Sequence, residues 1–346
     1  VKPVVVYTRP EAWTKLNSDV LDLVYCPPAR VLRLRNGYLA GDSMGTVFTA
    51  DAMKNLRYVI ETRKPDIFLF WTHFGEFKPA ALSKLRSISP RTVFVHGCGN
   101  QVLNKRGRDW YIERIMKLVD VQLTNTTEPS RIKKFSKCVP NVFTLHDSAF
   151  DPGAYKLSKR EPEYDCFFGG GDSVCKKKPT GRFPESVNRH DFIMRLSERR
   201  SLLLCGGGKW KEHGIKYRLG HPNTFTYFRQ MQRARIVVGY NHLLFRHYYT
   251  KRTVLGGASG RLLVTKYIPG MEKHFTNHRD IVWFKSNDEG LELIDHYLAA
   301  RNELENIAAR QRKRFEQLHS WEARLRRFEE LVPVLMRCRR KKGKKK

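Results

Sequence analysis

The sequence predicts two doubly wound α/β domains in tandem, joined by a short polar linker. Three observations predict it. The chain has 346 residues, more than a single hydrophobic core usually serves. Short apolar runs alternate with segments of helical period through both halves. The alternation pauses once, over 151–163, where Pro152, Gly153 and Pro162 stand among charged side chains, and then restarts. The expected domains are therefore 1–150 and 164–336, with 151–163 as linker and 337–346 as a basic tail.

In the first half, Val4 to Tyr7 reads as the opening strand and Val31 to Leu34 as another. Residues 51–62 place Met53, Leu56 and Ile60 on one side of a helix. After Lys64-Pro65, residues 66–71 end in an unbroken apolar run of strand length, which suits a strand buried on both faces. Residues 80–86 and 110–118 read as helices, and 92–96, 121–124 and 142–145 as strands. In the second half, strands are expected over 165–168, 201–205, 236–240 and 262–265. Helices are expected near 190–199, 226–234 and 291–299. A long charged helix over 303–331 is interrupted near His319. Strands alternating with helices build a parallel sheet with right-handed crossovers.

Charge is the unusual feature of the composition. Lys and Arg number 65 against 34 Asp and Glu, a net charge of +31. Eight of the basic side chains lie in 337–346, so +23 remains on the body. The tail reads as a solvated extension, whereas an excess this large on the body points to a polyanionic partner or surface. The seven cysteines are scattered and form no Cys-x-x-Cys pair, so neither a disulfide framework nor a zinc site is indicated. No apolar run reaches bilayer length, and the start of the chain lacks the pattern of a signal peptide. Val1 in place of Met suggests a trimmed or incomplete start, and the expected compartment is the cytoplasm, that of the host cell for a viral protein.

Twice in the second half a strand runs directly into three glycines, at Gly169-Gly170-Gly171 and at Gly206-Gly207-Gly208. Glycine there lets backbone approach a bound group and leaves amide N–H groups free, at the sheet edge where α/β proteins bind ligands. The alternative is two tight turns without a ligand. Neither loop has the spacing of a dinucleotide fingerprint or a P-loop. Basic side chains crowd the same loops: Lys176 to Lys178, Arg189 and Lys209. Arg189 and Lys209 are suited to a diphosphate, whose charge needs fixed cations or a metal. The three consecutive lysines also read as merely solvated. No Asp-x-Asp occurs, which favours cations over a metal.

The order of features from Val237 to Phe284 is more specific. A strand leads to Asn241, then come Thr250-Lys251-Arg252, glycines from Gly256 to Gly260, and an apolar strand. Pro269-Gly270-Met271-Glu272, Val282-Trp283-Phe284, a helix, and finally His319-Ser320-Trp321 with Arg324 follow. Over roughly the last half of the chain this resembles the C-terminal domain of GT-B glycosyltransferases. The branch it is similar to is the spore-maturation-protein-like one, close to retaining family 4. The resemblance implies two Rossmann-like domains facing a cleft. It implies a nucleoside-diphosphate sugar, with UDP-sugar expected, as co-substrate and no further cofactor. It also implies donor contacts from Asn241, Thr250, Arg252 and Gly256, with Arg252 on the phosphate. The chain departs from the family at Leu255, where family 4 carries a Glu, so ribose or sugar recognition must come from elsewhere and retention of configuration is not implied.

In the first half, His96 to Gln101 follow a buried strand and should line the same cleft. His96 either orients or deprotonates an acceptor hydroxyl or is a histidine bonded to backbone at a strand end. His73 is a second candidate and Glu76 a weaker one; Asp147 and Asp151 read as cap or turn residues. Trp71, Arg106, Arg108 and Trp110 are candidate contacts to a nucleic-acid acceptor. Three readings of function follow: sugar transfer to a polyanionic acceptor such as a hydroxylated base in DNA, transfer to a cell-envelope or polysaccharide acceptor, and nucleic-acid binding without catalysis.

Overall fold

The computed structural model describes residues 2–8, 11–26, 29–30, 46–47, 50–71, 78–98, 113–172, 185–206, 210, 214–215, 217–219 and 224–339. Contacts divide the chain into two units. The first joins the described residues up to Asp147 with those from Trp321 onward, and the second is Ser148–Ser320. Each is built on a six-stranded parallel sheet, as the alternation predicts.

In the first unit, β1 (Val4–Tyr7) and β2 (Asp22–Tyr25) precede a two-residue antiparallel pair, β3 (Ala29–Arg30) and β4 (Thr46–Val47). There follow α1 (Ala50–Arg63), β5 (Ile67–Trp71), α2 (Pro79–Ile88), β6 (Val93–Cys98), β7 (Val121–Thr124), α3 (Pro129–Ser136) and β8 (Asn141–Thr144). The sheet order is β2-β1-β5-β6-β7-β8. Alternate residues of β5 serve opposite faces. Phe68 and Phe70 pack with Leu56 and Ile60 of α1 and Leu82 and Leu85 of α2, while Ile67, Leu69 and Trp71 pack on the other side. All five are buried, which is why this strand shows no polar alternation. β2 and α3 have weak signals in the sequence: every residue of β2 is only half-buried, and α3 buries Phe135 alone. The strand expected at 31–34 lies outside the described residues, and of the helix expected at 110–118 only residues from 113 are described.

The second unit contains β9 (Tyr164–Gly169), α4 (Ser186–Arg199), β10 (Leu202–Cys205), β11 (Tyr217–Leu219), α5 (Thr224–Met231) and β12 (Ala234–Gly239). It continues with α6 (Lys251–Ala258), β13 (Leu262–Lys266), β14 (Val282–Phe284), α7 (Asn287–Ala299) and α8 (Arg301–His319). The order is β11-β10-β9-β12-β13-β14. One face is covered by Phe192, Ile193 and Leu196 of α4 and by Leu291, Ile294 and Tyr297 of α7. The other carries Phe228 of α5, Val254 and Leu255 of α6, and Phe315 of α8. A complete capping box starts α7: the Ser286 side chain accepts from the Glu289 amide, and the Glu289 side chain accepts from the Ser286 amide.

The last described helix returns to the first unit. α8 stops at His319, where the sequence predicts an interruption, and α9 (Trp321–Arg337) begins two residues later. The expected grouping of all terminal helices with the second domain is corrected here. Leu325, Phe328, Val332 and Leu335 recur at helical spacing and pack with Trp13 and the β5 residues Ile67, Leu69 and Trp71. The rings of Phe328 and Trp13 lie 5.2 Å apart, and Ser18 donates to Glu329 at 2.6 Å. Without α9 this sheet face would be open to water. The segment 151–163 likewise belongs to the second unit. There Asp151 accepts from the amides of Gly153 and Ala154, the turn role expected of it. Among the described residues no helix is long and apolar enough to cross a membrane.

Candidate functional site

In the second sheet the strand order reverses between β9 and β12, which run side by side but continue in opposite directions across the sheet. Such a switch point opens a crevice at the carboxyl ends of the two strands. β9 ends there in Gly169-Gly170-Gly171, and β12 in Gly239 followed by Tyr240 and Asn241. The two glycines that close β9 answer to specific neighbours. A Cβ on Gly169 would stand 1.6 Å from the Tyr227 hydroxyl, and one on Gly170 would stand 2.5 Å from Nη1 of Arg252. Glycine therefore admits an aromatic hydroxyl and a guanidinium onto the strand end. Gly206, expected as a donor contact, lies against the end of β9, where a Cβ on it would stand 2.2 Å from the Gly170 carbonyl oxygen.

Two arginines converge on this strand end. Arg252, on the first turn of α6, donates from Nη1 to the Gly169 carbonyl at 2.8 Å. Arg189, on the first turn of α4 and 1% exposed, donates from Nη2 to the Gly171 carbonyl at 2.5 Å. Burial first and Arg252 second push the Arg189 guanidinium down from its usual range, and Asp172 only partly opposes them. Asp172 itself faces His190, with 3.4 Å between its Oδ1 and the ring Nδ1. His242 feels the same field. Burial, then Arg189 and Arg252, lower its pKa from 6.5 to about 3. The folded pKa is the lower one, so its contribution to stability is present above about 6.5 and is lost as pH falls toward about 3. The site disfavours additional positive charge and is therefore suited to an anion.

The start of α6 adds a donor. Thr250 is its N-cap, and the hydroxyl accepts from the Thr253 amide at 3.3 Å while donating to Oδ1 of Asn241 at 3.1 Å. That bond orients the Asn241 amide. Asn241 is 5% exposed, and its Nδ2 has no hydrogen-bond partner. A buried unsatisfied donor costs on the order of 1–3 kcal/mol, which an incoming acceptor atom recovers. Gly169, Tyr227, Gly239, Asn241 and Arg252 line one small cavity at this point.

Other expected positions fall elsewhere. Gly256 faces the sheet, where a Cβ would meet Leu263 and Val237 at 3.1 Å, so glycine there permits close helix–sheet packing. Leu255 is 1% exposed within an apolar cluster, so a carboxylate at this position would be buried among hydrocarbon. His96, expected at a strand end and lining a cleft, stands instead inside a strand, because β6 continues to Cys98. The ring is fully buried, with Nδ1 2.7 Å from Oε1 of Gln122, and it packs on Phe70. Trp71 is also a core residue, its indole lying over Gly97, where a Cβ would approach it to 2.0 Å. His73, Glu76, Arg106, Arg108, Trp110, Lys176 to Lys178, Gly207 and Lys209 lie outside the described residues. His242 and Tyr227 were legible only as residues flanking a strand end and lying within a helix; nothing in their spacing singles them out.

Residues 189–330 match a family model described as glycosyl transferase-like, a stretch that includes Arg189, Asn241, His242 and Arg252. No curated protein matches the chain. Among solved structures, HepE of Anabaena in complex with UDP-glucose is 11% identical, with 82% of each chain covered and a TM-score of 0.55. Sucrose-phosphate synthase of Thermosynechococcus elongatus is 10% identical over 97% of this chain and 100% of that one, with a TM-score of 0.59. AviGT4, a glycosyltransferase involved in avilamycin A biosynthesis, is 12% identical over 97% and 98%, with a TM-score of 0.57. At such identities the likeness is one of fold, and the fold is the two-domain GT-B architecture expected from the sequence.

Proposed function

We propose that this chain, which carries a glycosyl transferase-like domain on a GT-B fold, transfers a sugar from a UDP-sugar to an acceptor hydroxyl. The carrying observation is the meeting of Arg189, Arg252 and the unsatisfied Asn241 amide at the switch point of the second sheet. In the reaction the bond from the anomeric carbon to the β-phosphate oxygen breaks, and UDP leaves with the electron pair. The acceptor oxygen bonds to that carbon and gives up its proton. Negative charge grows on the departing phosphate, and Arg252, with Nη2 and Nε not engaged by protein, faces it together with the α6 N-terminus. The Asn241 amide donates to a phosphate or ribose oxygen. The UDP-glucose held by HepE, a structure of the same fold, supports UDP as the nucleotide.

Two fixed guanidiniums supply the charge that a divalent metal supplies in other sites, so transfer is expected to continue in excess EDTA. Radiolabelled-sugar transfer measured with and without chelator tests this. Complete loss that manganese or magnesium restores overturns metal independence, and absence of any transfer or hydrolysis across a panel of nucleotide sugars overturns the catalytic reading.

For the acceptor, the charge of the body decides what to test first. A neutral sugar acceptor does not require +23 outside the tail, whereas double-stranded DNA presents a charge about every 1.7 Å of axis. The proposed acceptor is DNA bearing a hydroxylated base. Binding is expected to be tight at about 50 mM salt and to fall by orders of magnitude by about 200 mM, and removing 337–346 is expected to weaken it without abolishing transfer. Absence of a gel shift at low salt, or transfer to a polysaccharide but never to hydroxymethylated DNA, overturns this acceptor.

A further inference from the structure

A second cavity, of about 600 Å³, lies at the opposite end of the second sheet, where β9, β12 and β13 begin. Its size is that of a small-molecule site. Six cations line it: Lys156, Arg235, Arg261, Arg301, Arg312 and Lys313. Only three carboxylates do, Glu161, Glu305 and Glu316, and all three are engaged. Arg301 pairs with Glu161 at 3.2 Å and with Glu305 at 2.9 Å, and Arg312 pairs with Glu316 at 2.5 Å. Arg261 is satisfied by backbone, donating to the carbonyls of Gln232 and Arg160 at 3.1 and 2.9 Å. Among the described residues, no acidic side chain pairs with Lys156, Arg235 or Lys313.

The rest of the lining is hydrocarbon. Leu304 and Ala308 are buried at the base, and Leu298, Ala309 and Leu157 continue the surface outward. Leu157 is 52% exposed, a large aliphatic side chain open to the cavity mouth. Unpaired cations beside an open apolar wall call for a ligand that has both an anionic group and an aliphatic body. A nucleotide lacks the second, and a neutral lipid the first.

We infer that this cavity binds an amphiphilic anion, an alkyl chain bearing a phosphate, with the head group on Lys156, Arg235 and Lys313 and the chain along Leu157, Leu298 and Leu304. The site is separate from the crevice at the other end of the sheet and does not depend on the activity proposed there. Titration calorimetry of the full chain with decyl phosphate, below its micelle concentration, tests it. One saturable site per chain is expected, with no binding of decyltrimethylammonium. Two variants at exposed positions are expected to weaken that site at least tenfold while leaving the melting temperature unchanged. They are Lys156→Ala combined with Arg235→Ala, which removes charge, and Ala309→Trp, which fills the apolar wall. Flotation with phosphatidylglycerol vesicles distinguishes sources. Flotation lost in both variants assigns the anion to a membrane lipid, and flotation unchanged in both assigns it to a soluble amphiphile. Lack of saturable binding, equal binding of the cationic amphiphile, or binding that neither variant weakens overturns the inference.

Discussion

Replacing Arg252 by Ala is expected to weaken nucleotide-sugar binding by about ten- to hundredfold, since a charge-assisted contact to phosphate contributes on the order of 1.5–3 kcal/mol. The side chain reaches the end of β9 through the space left by Gly170 and keeps Nη2 and Nε available beyond its bond to Gly169. Losing it also removes a positive neighbour of Arg189 and His242, so both should hold a proton more readily in the variant. The fold should survive, because the Gly169 carbonyl loses one part-buried hydrogen bond and no core packing. Lys251→Ala is the matching control. Its ammonium is exposed and donates to Thr224 on α5, so its loss should leave affinity within twofold. Calorimetry with UDP and with a UDP-sugar reads both variants. Unchanged affinity in Arg252→Ala would remove the diphosphate from this strand end.

Asp120→Ala is expected to destabilise the first unit by about 3–5 kcal/mol, the usual loss when one partner of a buried ion pair is removed. Asp120 is fully buried at the start of β7. Its Oδ1 accepts from Nη2 of Arg86 at 2.6 Å, and its Oδ2 accepts from Nη1 of Arg86 at 3.0 Å and from the Phe94 amide at 2.8 Å. Alanine would leave the Arg86 guanidinium, which lies over the Phe94 ring, without its anion and would orphan a buried amide. Urea unfolding followed by the fluorescence of Trp13 and Trp71, both in this unit, should show a lowered midpoint. A shift of less than about 1 kcal/mol would mean that the pair is solvated in solution.

Much of the architecture is local and therefore legible in the residues. β1 and β7 occupy the predicted Val4–Tyr7 and Val121–Thr124, and the apolar run ending in Trp71 is a strand buried on both faces. Each of these rests on composition and period within five residues, where burial on two faces leaves no room for polar alternation. The glycines at the end of β9 were legible for the same reason: a strand end that turns into glycine announces close approach before the approaching group is known. Arg252 was singled out only by the resemblance of the segment around it.

The approaching group is what only the tertiary structure decides. Tyr227 and Arg252 meet at Gly169 and Gly170 across more than fifty residues of chain, and no local pattern pairs them. The burial of His96 depends on β6 continuing two residues past it and on Gln122 standing beside it in β7. Leu255 was read against a family carboxylate, yet the rotation of α6 turns it into the apolar cluster with Phe167 and Val237. The strongest case is α9. The sequence reads there only as the end of a long charged helix, and even a plain apolar period says only that one face must be covered, not which sheet covers it. The sheet of the first unit would leave an apolar face around Trp13 and β5 uncovered, and the chain returns to cover it after Ser320. Period and composition act over a few residues, whereas burial is settled by whatever surface remains uncovered when the whole chain has folded.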